Sequence, residues 1–228
     1  MADGCLLYYI TDRTQFPGDE SARHSALLAK IAEAVRAGVD YIQLREKDLT
    51  ARELEALALS VVATIGENLR TTNNQPLTTR LLINSRSDVA LAVGADGVHL
   101  RADDISASDA RSVWAQAIAR SSQPAARSPV IAVSCHTPVD VIRSESEGAD
   151  FAVFAPVFEK KGASHAGLAM LREACKAKIP VCALGGVTVE NAKACLEVGA
   201  AGIAAIRLFQ ENKIEEVVRA LRSGNDIE

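Results

Sequence analysis

The chain of 228 residues is 48% hydrophobic and 24% charged, enough apolar material for a full core in one large domain or two small ones. A formal charge of −4 with no Lys/Arg-rich run excludes a nucleic-acid surface, so any anion site has to be local. With no charged-then-apolar leader, no apolar stretch of the roughly 18 residues a membrane span needs, and five cysteines without a CxxC pair, we expect a cytoplasmic chain whose thiols are small core residues.

Short apolar strands alternate with longer amphipathic helices along the chain. The expected strands are Leu6 to Ile10, Tyr41 to Leu44, Leu81 to Ile83, Gly97 to Leu100, Val130 to Val133, Phe151 to Phe154, Val181 to Leu184 and Gly202 to Ile206. Between the first two, Leu27, Leu28, Ile31, Ala34 and Val35 recur at helical spacing; after the second, Leu54, Leu57, Ala58 and Val61 do the same. Start signals agree, with a capping box at Thr50-Ala51-Arg52-Glu53 and a cap followed by proline at Thr137-Pro138. An imperfect repeat precedes every second strand: Ala37-Gly38-Val39-Asp40, Val93-Gly94-Ala95-Asp96, Glu147-Gly148-Ala149-Asp150 and Val198-Gly199-Ala200-Ala201. Each glycine is expected to end a helix in the left-handed conformation. Eight such units predict a closed (β/α)₈ TIM barrel, a single domain over residues 1–228, with loops at Thr71 to Thr79 and Ser121 to Ser128.

Active sites of this fold lie at the C-terminal ends of the strands. There the sequence places Thr11-Asp12, then Gln43, Arg45 and Lys47, then Asn84, His99 with Asp104, Ser134, Lys160-Lys161-Gly162, Gly185-Gly186 and Arg207. In an extended segment Gln43, Arg45 and Lys47 share a face, which suits a doubly phosphorylated ligand. Gly185-Gly186 leads to a helix cap at Thr188 and offers bare N–H groups to a phosphate. Across the mouth, Arg45, Lys47, Asn84 and Asp104 combine cations with a carboxylate, suggesting a second phosphate group bound partly through a divalent metal.

Six segments fall in the order and spacing of one family: Leu7-Tyr8-Tyr9-Ile10-Thr11-Asp12, Gln43-Leu44-Arg45-Glu46-Lys47, Leu82-Ile83-Asn84, Gly97-Val98-His99-Leu100, Val133-Ser134-Cys135-His136-Thr137 and Leu184-Gly185-Gly186-Val187. Over nearly its whole length the chain resembles the thiamine-phosphate synthase family, which also includes thiazole tautomerases. The resemblance implies small-molecule substrates, an aminopyrimidine methyl pyrophosphate and a thiazole phosphate, joined with release of pyrophosphate. It also implies that Gln43, Arg45, Lys47 and Asn84 hold the pyrophosphate, Asp104 binds Mg²⁺, Ser134 contacts the pyrimidine and Gly185 binds the thiazole phosphate through its N–H.

Three positions depart from the family pattern. Ser85, followed by Arg86, stands where the family carries an aspartate as second Mg²⁺ ligand. The loop after the sixth strand is shortened to Phe158-Glu159-Lys160-Lys161-Gly162, with the family lysine's place open between Lys160 and Lys161, and Arg207 replaces a serine. A synthase is expected, since a tautomerase has no pyrophosphate to hold and that subfamily's catalytic histidine is replaced by Pro156; a non-catalytic phosphate-ligand sensor is the third reading. His99 and His136 are the other titratable candidates, and the oligomeric state, homo-oligomer included, is left open.

Overall fold

The computed structural model describes residues 4–71, 78–120, 128–158 and 166–223. Its strands are β1 (Leu6–Ile10), β2 (Tyr41–Leu44), β3 (Arg80–Asn84), β4 (Gly97–Leu100), β5 (Val130–Cys135), β6 (Phe151–Phe154), β7 (Val181–Ala183) and β8 (Gly202–Ala205). All pair in parallel with their sequence neighbours, and β1 pairs with β8 to close the barrel. The helices are α1 (Glu20–Ala37), α2 (Ala51–Thr71), α3 (Ser87–Val93), α4 (Ala107–Arg120), α5 (Pro138–Ser146), α6 (Gly167–Ala174), α7 (Val189–Glu197), α8 (Arg207–Gln210) and α9 (Ile214–Ser223). The (β/α)₈ expectation therefore holds, with strand ends displaced by one or two residues. β5 runs on to Cys135 because that residue still pairs with Phe154, and β7 stops at Ala183, two residues before the turn at Gly185.

The period of two along each strand separates two cores. Leu7, Tyr9, Ile42, Leu44, Leu81, Ile83, Val98, Ile131, Ala152, Phe154 and Ile203 face outward and pack with helix residues such as Leu27, Ile31, Leu57 and Val61. The opposite parity, Tyr8, Ile10, Leu82, Val130, Ala132, Phe151, Val153, Cys182 and Ala204, fills the barrel itself. Gln43, Asn84, His99 and Ser134 share this inward parity. Of the cysteines, Cys5, Cys135, Cys182 and Cys195 are buried and Cys175 is partly so, all as free thiols.

The glycine–aspartate repeat acts at the end of the barrel opposite the mouth. Gly38, Gly94, Gly148 and Gly199 all have positive φ, from 68° to 107°, and turn the chain from helix into strand. The aspartate two residues later then clamps the preceding strand by a reciprocal pair of bonds. Asp40 Oδ2 accepts the Leu7 N–H at 2.8 Å while its own N–H donates to Leu7 O at 3.2 Å. Asp96 does the same to Leu81 (2.8 and 2.9 Å), and Asp150 to Ile131 (2.7 and 2.8 Å). In the fourth repeat Ala201 has no carboxylate to offer, and only the backbone half of the clamp remains, its N–H donating to Val181 O at 2.8 Å. Each carboxylate thus satisfies a strand-end donor that would otherwise lack a ladder partner. The expected capping box forms at α2 through Thr50 and Glu53, and the expected cap at Thr137 starts α5, where Asp140 completes a second capping box.

Candidate active site

β2 ends at Leu44, so strand alternation positions Gln43 but does not extend to Arg45 and Lys47. Gln43 is buried inside the barrel, 1% exposed, and its Nε2 donates to the Tyr8 hydroxyl at 2.9 Å. Arg45 is set by its backbone instead: its N–H donates to Thr11 Oγ1 at 3.0 Å, and Thr11 Oγ1 donates in turn to Glu46 Oε1 at 2.6 Å. Its guanidinium is half-buried, and burial lowers its proton affinity, partly offset by Asp12 and Glu46. Lys47 lies exposed on the following turn.

Glu46, between the two cations, goes the other way. It is 6% exposed and accepts the Arg13 backbone N–H at 2.9 Å and the Arg13 guanidinium at 3.3 Å. Arg13, itself 3% exposed, also grips Asp48 with two bonds of 2.7 and 2.9 Å and Glu20 with one of 2.6 Å. Burial pushes the Glu46 carboxyl up, against the pull of Thr11 and Arg13, while its partners hold the Arg13 guanidinium above its ordinary value. This cluster ties the exits of β1 and β2 together and sets the turn that carries Arg45 and Lys47. Alternation would have placed Glu46 opposite Arg45; its partner Arg13, 33 residues away, carries no local signal.

At the end of β3, Asn84 Nδ2 donates to Ser85 Oγ at 3.1 Å, and Ser85 has φ of 60° with its N–H bonded to His99 O at 2.9 Å. Arg86 grips Asp88 at 2.8 and 2.6 Å, so its charge is engaged in the first turn of α3. Asp104 Oδ2 accepts the Arg101 backbone N–H at 2.7 Å and its Oδ1 lies 3.5 Å from Arg101 Nε. Arg101 lies near enough to Arg45 to lower that residue's proton affinity, which puts one more cation on this side of the mouth than sequence reading had found. Its pairing with an acid three residues on was the available signal. Arg101 and Asp104 share a cleft of about 170 Å³ with Ser106, Arg143 and Glu147. Among the described residues no three His, Cys, Asp or Glu side chains gather as a metal cage.

His99 lies inside the barrel, 3% exposed, with Nδ1 at 3.0 Å from the Tyr8 hydroxyl and Nε2 at 2.7 Å from Ser134 Oγ. Burial, reinforced by Arg45, pushes its pKa down to about 3, so the ring is neutral. His136 is exposed, and its Nδ1–H donates to Ala155 O at 2.7 Å.

The opposite side of the mouth is a cavity of about 460 Å³ whose lining includes Gly185, Gly186, Thr188, Ile206 and Arg207. Gly185 has φ of 97°, and a Cβ built there would lie 2.7 Å from Pro156 Cα, so only glycine allows β7 to exit against the Ala155-Pro156 segment. The N–H of Thr188 is capped by Asn191 Oδ1 at 2.8 Å, which starts α7 directly beyond the two glycines. Lys160 and Lys161 lie outside the described residues, as do residues 72–77 and 121–127 of the expected loops.

A family model described as thiamine monophosphate synthase matches residues 7–209. The thiamine-phosphate synthase of Syntrophomonas wolfei is 35% identical over 224 residues, covering 95% of this chain and 94% of its own length. That of Methanoculleus marisnigri is 34% identical over 225 residues, with 96% and 94% covered. Among solved structures, thiamine phosphate pyrophosphorylase from Pyrococcus furiosus superimposes with a TM-score of 0.75 at 28% identity, covering 97% of this chain and 95% of that one.

Proposed function

The chain belongs to the thiamine monophosphate synthase family, and from that membership we propose that it is a thiamine-phosphate synthase. As such it is a transferase joining hydroxymethylpyrimidine pyrophosphate to hydroxyethylthiazole phosphate. What supports this reading is where the strands end: β7 and β8 exit into a cavity whose lining includes Gly185, Gly186 and Arg207, while Asn84 closes β3 and Arg45 and Lys47 follow the end of β2. One side suits a monophosphate and the other a diphosphate.

In the proposed reaction the bond between the methylene carbon and the pyrophosphate oxygen breaks, and its electron pair leaves on the pyrophosphate. The amino-substituted ring stabilises the cation left behind, and the lone pair of the thiazole nitrogen then forms the new C–N bond. Arg45 and Lys47 stabilise the departing anion, Gln43 and Asn84 orient it, and Ser134 positions the pyrimidine. Gly185 and Gly186 donate backbone N–H groups to the thiazole phosphate, Arg207 adds a bidentate donor, and Lys160 or Lys161 is the further substrate-binding cation. The neutral, doubly bonded His99 is no acid–base group here, and none is required.

With Asp104 as the one carboxylate and the Ser85 hydroxyl as a neutral second ligand, the donor set suits Mg²⁺ of the kind that keeps several waters and is held mainly by substrate phosphates. When bound, Mg²⁺ would supply charge neutralisation on the diphosphate. The reading takes residues 1–228 as one domain working in the cytoplasm on small molecules. It fits a chain with no helix among the described residues long and apolar enough to cross a membrane. The tautomerase alternative asks for a proton-transferring group where Pro156 stands, and Pro156 is instead the residue against which Gly185 packs. Incubation of the purified protein with the two substrates and Mg²⁺, followed by chromatography of thiamine phosphate, tests the proposal; isomerisation of the thiazole carboxylate phosphate without coupling would reverse it.

A further inference from the structure

Four side chains from four strands form one hydrogen-bonded chain across the barrel interior. Gln43 Nε2 meets the Tyr8 hydroxyl at 2.9 Å, that hydroxyl meets His99 Nδ1 at 3.0 Å, and His99 Nε2 meets Ser134 Oγ at 2.7 Å. Tyr8, Gln43 and His99 are 0%, 1% and 3% exposed, while Ser134 is half-buried at the mouth.

The links determine one another's direction. An amide nitrogen only donates, so Tyr8 accepts from Gln43 and has its own proton left for His99 Nδ1. A neutral imidazole that accepts at Nδ1 carries its proton on Nε2 and donates it to Ser134 Oγ. Ser134 then has its hydroxyl proton free, and the remaining direction for it is the mouth. A Tyr8 hydroxyl that accepted from both neighbours would leave its own proton unpaired in the barrel, where an unmade hydrogen bond is costly.

Resting on the synthase reading above, we propose that Tyr8 and His99 are positioning residues that make Ser134 a hydrogen-bond donor to a ring nitrogen of the aminopyrimidine substrate. Neither touches the substrate. They set which way the one hydroxyl at the top of β5 points, and so favour a heteroaromatic ring presenting an acceptor there over one presenting a donor.

The first test uses the ligand-free protein labelled with ¹⁵N-histidine. The ring-nitrogen shifts of His99, assigned by its loss in His99→Gln, should report a proton on Nε2 and none on Nδ1 at neutral pH; an Nδ1–H tautomer or an imidazolium overturns the proposal whatever the protein catalyses. The second is calorimetric binding of the pyrimidine pyrophosphate. Loss of one hydrogen bond is worth about tenfold in affinity, so Tyr8→Phe and His99→Leu should each weaken binding by about that factor and leave the KM for the thiazole phosphate unchanged. His99→Gln, which retains an amide N–H in the place of Nε2, should recover most of the loss. Ser134→Ala should show the same loss, and His99→Leu should add nothing to it. A merely structural role predicts a lower Tm, equal effects on both substrates and no rescue by glutamine, and that pattern overturns the inference. If the unmodified protein binds the pyrimidine pyrophosphate but makes no thiamine phosphate, the synthase reading fails while the tautomer and the binding series still decide this one; failure to bind it removes both.

Discussion

Gly185→Ala should be among the most damaging single-methyl additions this protein can receive. The new Cβ would sit 2.7 Å from Pro156 Cα, 2.8 Å from Pro156 Cβ and 3.3 Å from Val157 N, at a φ of 97°. The neighbours are backbone and ring atoms, with no flexible tip to move aside. They are also tied in place: Val157 N–H donates to Leu184 O at 2.9 Å and Phe158 N–H to Gly185 O at 3.0 Å. A side chain in such a backbone region costs about 1–3 kcal/mol, and overpacking against a rigid wall costs a further 1–3 kcal/mol or so. A total near 4 kcal/mol corresponds to a fall in Tm of roughly 8–16 °C for a domain of this size. Gly148→Ala is the control. Its φ is 83°, yet nothing lies within 4 Å of the added carbon, so only the conformational part remains, about 1–2 kcal/mol. Calorimetric melting of the two variants reads the difference. Relief of the clash has to displace the exit of β7, so the KM for the thiazole phosphate should also rise more than that for the pyrimidine pyrophosphate. If Gly185→Ala melts within about 3 °C of Gly148→Ala and the two KM values move together, the close approach to Pro156 is not what the position requires.

Arg45→Ala should leave the Tm nearly unchanged and lower turnover by about 10²–10³, the usual cost of one donor to developing negative charge; near-normal product formation would remove the diphosphate clamp. Ser85→Asp should lower the Mg²⁺ concentration for half-maximal rate, because the added carboxylate is a hard-cation ligand and aspartate tolerates the φ of 60° found there. Asp104→Ala should raise that concentration or abolish activity, and turnover in excess chelator would reject Asp104 as a metal ligand. Arg13→Met should destabilise by about 3 kcal/mol in urea titrations, because Glu46 is left buried without its cation; a loss below about 1 kcal/mol would mean that Glu46 is satisfied by Thr11 and backbone alone. His99, held neutral with its pKa pushed down to about 3, takes up a proton on unfolding below its ordinary 6.5, so its contribution is intact above that pH and is lost as pH falls toward 3. Stability should fall by up to about 1.4 kcal/mol per pH unit across that window, and His99→Gln should flatten that part of the curve.

Fold and site were legible in the sequence to different depths. Short, nearly continuous apolar runs, helical spacings, caps and the glycine–aspartate repeat are local signals, and they determined the eight units, their order and, to within one or two residues, the strand ends that carry Gln43, Asn84, Ser134 and Gly185. The mouth followed, because a closed parallel barrel brings those ends together whatever the loops contain. What local pattern could not supply was the choice of partner. Tyr8 meets Gln43 across 35 residues and His99 across 91, and Asp12 is held by Gln210 across 198, pairings that exist only once the barrel closes. Glu46 looked like one more polar residue in a charged pentapeptide until closure placed Arg13 against it in a site almost without water. Gly185 was legible as a glycine bare for phosphate, but the atom that excludes a side chain there belongs to Pro156, on the neighbouring strand's exit. Chain-local geometry determines where each strand ends and which way its side chains alternate; which polar groups are buried together, and so which proton points into the site, is decided by contacts between strands far apart in sequence.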